Sequence, residues 1–458
     1  MCILGLFLTA CSNLKKKVAP NILILYADDL GWSDIGCYGN KINKTPNLDR
    51  LANEGMRFTN AYAPSPICSA SRASNITGKS PARLHFEFVA TDRRITDKPL
   101  LPPIRTLELP LEEITLGEIA QEAGYSTAFF GKWHIARHNQ GYLKWSDTHG
   151  PLQQGFHEGS DNYGTHPYNE KNREIVDLPK GTFPEDTLVL KSIEFLREKK
   201  ESGDPFLMFF SSYYVHTPVI PNNSWLIEKY REKMPEASED TILYAAFVET
   251  MDHHFGQILG ALDEFGLAEN TIVIFSSDNG GHPRYTDNKP LRGNKWNLYE
   301  GGCRVPFIVR WPGVVAEDTE NSEVIIQWDV MPTVCDIVQQ PIPESIDGES
   351  LLPILKGETE NLIREFVSWH FPYYHPPSFY EGTKPCSAIR KGDYKLIYFY
   401  EDDRIELYNL NIDIQEEYDL SLIKPELASS LKNYLFDYLH DVNARFPTTN
   451  PEYKNENK

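Results

Sequence analysis

The sequence predicts an α/β fold: a large, mainly parallel sheet with helices on both faces, followed by a smaller α+β subdomain with an antiparallel sheet. Three observations predict it. Continuous apolar runs of five to seven residues recur along the chain, and such runs mark strands buried on both faces, as in parallel sheets. Helical patterns with start and stop signals lie between them, and that alternation places helices on both sides of a sheet. Past about residue 345 the pattern changes to closely spaced strands around a turn and then one helix.

The first run is "NILILYA" at 21–27. "TPNLDRLANEG" follows as a helix, with Thr45 as N-cap, Pro46 at the first helical position and Gly55 past the end. "TLGEIAQEAG" carries a capping box, Thr115 with Glu118, and stops at Gly124. The runs "STAFF" (126–130) and "FLMFFSS" (206–212) come next. The long amphipathic stretch "DTILYAAFVETMDHHFGQILGALDEFG" reads as a helix, and "TIVIFSS" (271–277) and "VPFIVRW" (305–311) as further strands. "REFVSWHF" and "SAIRKGDYKLIYFY" read as antiparallel strands around a turn, and "KPELASSLKNYLFDYLHDV" as a closing helix. The expected organisation is a main domain over 20–345, a subdomain over 346–450 and a tail over 451–458. Neither internal repeats nor low-complexity tracts interrupt it.

With 458 residues, 41% of them hydrophobic, the chain is able to bury a sizeable core. Its net charge of −20 excludes nucleic acid and anionic membrane surfaces as general partners. An anionic substrate would need a local basic cluster. The first eleven residues, "MCILGLFLTAC", form an apolar run of signal-peptide size, too short to span a bilayer. "LTAC" resembles the bacterial lipobox, which makes Cys11 the expected lipidation site and 12–19, with Lys15, Lys16 and Lys17, a short tether. The expectation is an exported, lipid-anchored protein touching the membrane only through that lipid. It is placed on the periplasmic side, because the basic tether lacks an acidic run. Beyond Cys2 and Cys11, five scattered cysteines remain with no CxxC pair. That argues against zinc-ribbon or thioredoxin chemistry and leaves at least one thiol unpaired.

The ends of the apolar runs share a character. Asp28 and Asp29 follow the first, Lys132 and His134 another, His216 a third, and Asp278 and Asn279 a fourth. Ligands in open parallel sheets bind outside the carboxyl ends of the strands, so these segments are able to converge on one site. An acidic pair after a strand is commonly just a turn, and a lone histidine is commonly core or surface. Four such ends together carry more weight. Asp28, Asp29, Asp278 and Asn279 are hard oxygen ligands suited to Ca²⁺ or Mg²⁺. Arg72, Lys132, His134, His216 and Lys295 suit an oxyanion. Cys68, in "PSPICSASRASNITGKSP", fits poorly among hard ligands as a thiol, and an oxygen nucleophile would be more compatible.

"CSASRASNITG" resembles the signature of the formylglycine-dependent sulfatase family, C-x-[PA]-S-R-x-x-x-[LI]-T-G, with Cys68, Ala70, Ser71, Arg72, Thr77 and Gly78 in place. "NILILYADDLGWSDIGCYGN", "TPNLDRLANEGMRFTNAYA", "GYSTAFFGKWH", "VIFSSDNGG" and "LYEGGCRVPFIVRWPG" resemble the same family in the same order, over roughly 20–450. The resemblance implies an alkaline-phosphatase-like α/β/α sandwich and a sulfuric ester hydrolase. It implies that Cys68 is oxidised to Cα-formylglycine, whose hydrate offers one hydroxyl to attack sulfur and a second to expel sulfate. It further implies one Ca²⁺ held by Asp28, Asp29, Asp278, Asn279 and the modified Cys68. Arg72, Lys132 and Lys295 would lie on the sulfate, with His134 as base and His216 as acid for the leaving alcohol. The helix beginning at Cys68 would add positive potential. Ala70 stands where proline is commoner, which points to maturation by the anaerobic radical type of sulfatase-maturing enzyme.

For substrate, the C-terminal block resembles sulfatases acting on galactose or N-acetylgalactosamine sulfates in bacterial glycan degradation. The expectation is an exo-acting 4-O-sulfatase on a sulfated glycan, with His166, His370, His375 and Arg390 as sugar contacts, or equally as packing between the domains. Two other readings stay open. A phosphatase or phosphodiesterase of the alkaline phosphatase superfamily would carry two transition metals. An inactive sulfated-glycan-binding lipoprotein would bind without releasing sulfate.

Overall fold

The computed structural model describes residues 19–91, 95–139, 141–376 and 382–454. The expected signal segment, Cys11 and all but the last residue of the tether lie outside the described residues.

The strands, in chain order, are β1 (Asn21–Ala27), β2 (Met56–Tyr62), β3 (Leu100–Leu101), β4 (Ser126–Gly131), β5 (Glu158–Ser160), β6 (Phe206–Ser211) and β7 (Thr271–Ser277). They continue as β8 (Phe307–Arg310), β9 (Thr319–Ile326), β10 (Val367–Phe371), β11 (Cys386–Lys391), β12 (Tyr394–Phe399), β13 (Arg404–Asn409) and β14 (Thr448–Thr449). Eight form one sheet in the order β5-β4-β6-β1-β7-β8-β2-β9. It is parallel except at β8, which runs antiparallel to both β7 and β2. The apolar run at 305–311 therefore marks a buried strand but not its direction. Burial on both faces needs only cover from helices, and β8 has that in either sense.

Alternation along β1 fixes the three layers. Leu23, Leu25 and Ala27 face one cluster with Phe247, Met251 and Phe255 of the helix Glu239–Glu264. Ile22, Ile24 and Tyr26 face the other, with Leu116, Ile119, Met331 and Val334 from the helices Leu116–Glu122 and Val330–Val338. Both side-chain halves of the capping box at Thr115 and Glu118 are formed, at 3.2 and 2.8 Å. Thr45 does not cap its helix: its hydroxyl accepts from Gly36 N (2.8 Å) and donates to Asp49 (3.2 Å), fastening the preceding turn instead.

β10-β11-β12-β13 form the antiparallel second sheet, with Gly392 in the left-handed region at the β11–β12 turn. One face (Trp369, Phe371, Ala388, Ile397) packs with Tyr62 and Cys68. The other (Ile389, Leu396, Leu407) packs under the closing helix Pro425–Asp441. The β3–β14 pair ties the C-terminal end back onto the main domain. Among the described residues no helix is long and apolar enough to cross a membrane, and the five cysteines found there form no disulfide.

Candidate active site

Adjacent parallel strands end at the same level, so their outgoing loops share one crevice. β1 delivers Asp28 and Asp29, β4 delivers Lys132 and His134, β6 leads to His216, and β7 delivers Asp278 and Asn279. Asp29 and His134 both adopt left-handed backbone (φ 64° and 58°). That is uncommon for non-glycine residues and recurs at functional turns. Cys68 is the first residue of the ten-residue helix Cys68–Thr77, every residue of which is buried.

One ligand atom each from Asp28, Asp29, Cys68 and His216 lie within 4.8 Å of one another. Lys132 Nζ donates to Asp28 at 2.6 Å, and Lys295 Nζ to Asp29 at 2.6–2.7 Å. Asp278 lies one step back. Its Oδ2 accepts from Arg72 Nε and Nη2 (2.9 and 2.7 Å), and its Oδ1 accepts from Asp29 N (3.1 Å). Asn279 Nδ2 donates to Asp29 Oδ1 (2.8 Å). Three buried carboxylates thus face three buried cations.

The site fits a hard cation. Among the described residues the buried Asp28 Oδ1 and Asn279 Oδ1 have no hydrogen-bond partner, and such orphan acceptors are costly unless something binds them. Burial and the neighbouring Asp28 raise Asp278 to about 6, a position that a bound cation would reverse. A divalent ion would also leave the balanced cluster net positive, ready for an anion. Burial pushes the Cys68 thiol above its ordinary range despite the opposing pull of Lys132 and Lys295, so a thiolate is disfavoured there.

Both histidines are held well below their ordinary value, His134 by burial and then Lys132, His216 by burial and then Lys295. His134 Nδ1 has no partner among the described residues. His216 Nδ1 lies 2.8 Å from Thr217 O and 2.5 Å from the Tyr168 hydroxyl, and its Nε2 lies 3.6 Å from Asp29 Oδ2.

The four residues expected at the sugar fall in different places. His166 is fully buried. Its Nε2–H donates to His216 O (3.0 Å) while Nδ1 accepts from Tyr168 N (3.1 Å), so it braces His216 and has no free edge for a sugar. His370 alternates with Trp369 along β10 and so points away from Cys68. Its ring nitrogens meet Ser387 Oγ and Arg445 O beneath the closing helix. Arg390 binds the Tyr62 hydroxyl and lines a separate cleft of about 450 Å³. His375 lies beside the site: it stacks on Trp296 (4.1 Å), the residue after Lys295, and lines a cleft of about 850 Å³ with Tyr374 and Arg292. Sequence reasoning gave no role to Tyr142, His138 or His282, all of which surround this crevice.

Fold and site together define an alkaline-phosphatase-like enzyme that handles an oxyanion ester. The chain belongs to the sulfatase family and is a sulfuric ester hydrolase. The family model "Sulfatase" matches residues 20–339, and the model "N-sulphoglucosamine sulphohydrolase, C-terminal" matches 293–444. A sulfatase of Formosa agariphila is 31% identical over 95% of this chain and 92% of its own. The dog N-acetylgalactosamine-6-sulfatase is 29% identical over 86% of this chain and 74% of its own. The crystal structure of Ps i-CgsB in complex with k-i-k-neocarrahexaose shares the fold with a TM-score of 0.75. It is 24% identical to this chain and covers 96% of it and 95% of its own.

Proposed function

We propose that the protein removes sulfate from a sulfated carbohydrate, with Cys68 matured to formylglycine as the nucleophile-bearing residue. The observation that carries this is the convergence of three carboxylates and three cations on Cys68 at a helix N-terminus. Asp28, Asp29, Asp278 and Asn279 would hold Ca²⁺, which when bound acidifies an attached hydroxyl and neutralises a sulfate oxygen. Formylglycine at 68, when hydrated, supplies an oxygen nucleophile.

The chain's own residues do the rest. Arg72, Lys132 and Lys295 hold the sulfate oxygens. Neutral His134 accepts a proton during sulfate release. His216 gives a proton to the leaving sugar oxygen, once the substrate's negative charge has raised its affinity for one.

The substrate is a galactose or N-acetylgalactosamine sulfate in a bacterial glycan, cut from its end and at the 4-position. The relative named for N-acetylgalactosamine 6-sulfate supports the sugar rather than the position. A second reading, a glucosamine N-sulfate, is favoured by the C-terminal match to N-sulphoglucosamine sulphohydrolases. Lipid anchoring through Cys11 on the periplasmic side, and maturation by a radical enzyme that accepts Ala70, complete the proposal.

The test uses protein co-expressed with a sulfatase-maturing enzyme and a panel of regiochemically defined sulfated monosaccharides. Wild type is expected to release sulfate from a galacto-configured member, and Cys68→Ala to release none while keeping its circular dichroism and melting point. Near-normal release by Cys68→Ala sinks the mechanism. Release only from glucosamine N-sulfate selects the second reading.

A further inference from the structure

We propose that Tyr142, flanked by His138, is the stacking platform for the sugar ring that carries the scissile sulfate. The proposal rests on the sulfated-carbohydrate reading of the same site and names the residues that sort its substrates.

Five aromatic rings form a continuous arc along one wall of the crevice. Successive centroid separations are 5.5 Å from His134 to His138, 5.2 Å to Tyr142, 5.2 Å to Tyr168 and 5.8 Å to His216. The arc begins on the proposed base and ends on the proposed acid. A ring seated against its middle would therefore have the two proton-transfer groups on either side.

Exposure singles out that middle. His134 is buried, and Tyr168 and His216 are half-buried, but His138 is exposed and Tyr142 is 52% exposed. The exposure of Tyr142 does not come from a loose segment. Leu143, its neighbour, is 1% exposed and plugs the main core. The Tyr142 carbonyl accepts from the Tyr163 hydroxyl, and Lys144 and Trp145 are fastened to Asp161. Burial raises the Tyr142 phenol and Lys132 and Lys295 pull it back, so the ring stands within electrostatic reach of the reaction centre.

The chemistry matches a sugar. Pyranose rings are polar at the rim and apolar on their C–H faces, and a fixed tyrosine offers a large apolar face at little entropic cost. The middle of the arc, Tyr142, carries no positive charge, so it adds nothing to the grip on sulfate, which falls to Arg72, Lys132 and Lys295. Single exposed aromatics are ordinary on protein surfaces. What distinguishes Tyr142 is its fixed place between the two histidines.

The experiment compares matured wild type, Tyr142→Ala and Tyr142→Phe on the best sugar sulfate of the panel, with inorganic sulfate as a competing inhibitor. Tyr142→Ala is expected to raise KM about tenfold while kcat changes less than about threefold, and Tyr142→Phe to stay within about twofold on both. The inhibition constant of inorganic sulfate is expected not to move. An unchanged KM in Tyr142→Ala, or a sulfate inhibition constant that rises in step with KM, overturns the platform.

If wild type turns over no sugar sulfate, the proposed function fails on its own. The platform is then judged by calorimetric titration of Cys68→Ala protein with galactose 4-sulfate, N-acetylgalactosamine 4- and 6-sulfate and glucosamine N-sulfate. Loss of measurable affinity on adding Tyr142→Ala supports it. Equal affinity, or no binding to begin with, overturns it.

Discussion

His216 shows how the hydrogen bonds of one imidazole decide what it does. The Thr217 carbonyl only accepts, so the nearby Nδ1 must carry a proton. Nε2 then faces Asp29 and carries a second proton only when the ring is charged. Burial and Lys295 oppose that charge and Asp29 favours it, and a bound sulfate ester adds to the favourable side. The leaving oxygen of a sugar needs that proton, whereas the leaving group of an activated aryl sulfate does not. His216→Ala should therefore cut kcat/KM on a sugar sulfate by about 10²–10⁴-fold, but on 4-nitrocatechol sulfate by less than about tenfold. Parallel steady-state kinetics check it, and equal losses on both substrates remove His216 as the acid. That these side chains meet was legible in the sequence, because polar residues just past apolar runs land at the ends of adjacent strands. The sugar contacts were not. A histidine sealed into a core, as His166 and His370 are, has the same one-dimensional signature as one at a surface. Tyr142 sits in a loop whose course depends on where Leu143 finds the core.

The helix Cys68–Thr77 is an element with no solvent face, so its position depends on how it ends. Gly78 ends it at φ 72°. The glycine N–H bonds back to Ser74 O (2.9 Å), while its carbonyl accepts from Asp347 N and Gly348 N. A Cβ there would meet Met331 Cβ at 2.9 Å. Gly203 ends the helix Thr187–Ser202 with nearly the same φ, 73°, but a Cβ would meet nothing within 4 Å. The pair separates backbone strain from crowding. Gly203→Ala should cost about 1 kcal/mol, and Gly78→Ala about 2–4 kcal/mol, through strain plus overpacking. Gly78→Ala should also lose turnover as the displaced helix carries residue 68 with it. Thermal and urea unfolding of the two variants check this, and equal costs would mean that Met331 yields freely. At this scale the main helices, the antiparallel subdomain and the β1, β4, β6 and β7 strands were legible from periodicity and caps. β2 was not, since "MRFTNAY" alternates only partly and is half-buried along much of its length. The direction of β8 was not either, since an apolar run carries no arrow.

The two parts of the molecule are joined through buried charge as well as through the apolar contact of Trp369, Tyr62 and Cys68. From the main domain, Glu300 accepts from Arg304 Nε (2.7 Å), the Tyr62 hydroxyl (2.7 Å) and Lys395 Nζ (2.8 Å). From the subdomain, Glu416 lies 3.1 Å from the same Lys395 Nζ and accepts from Glu300 N (2.7 Å). One lysine thus serves two buried carboxylates, which cannot both be charged cheaply. Lys395 holds Glu300 well below the usual carboxylate range against its own burial, while burial, with Glu300's charge adding to it, lifts Glu416 from 4.5 to about 7. The signs follow from linkage. Glu300, depressed in the fold, contributes stability above the unfolded carboxylate value and loses it only in strong acid. Glu416, raised in the fold, binds a proton that the unfolded chain has already released between about pH 4.5 and 7. Its contribution is therefore complete below that window and is lost as pH rises through it. Glu416→Gln keeps an oxygen for Glu300 N and removes the titration. Wild type should lose stability relative to Glu416→Gln between pH 5 and 8, by at most about 3 kcal/mol. The melting points of the two proteins, measured across that range, should converge toward the acid end and separate toward the alkaline end. Curves that run parallel would show that Glu416 is charged throughout and that Lys395 sustains both carboxylates at once.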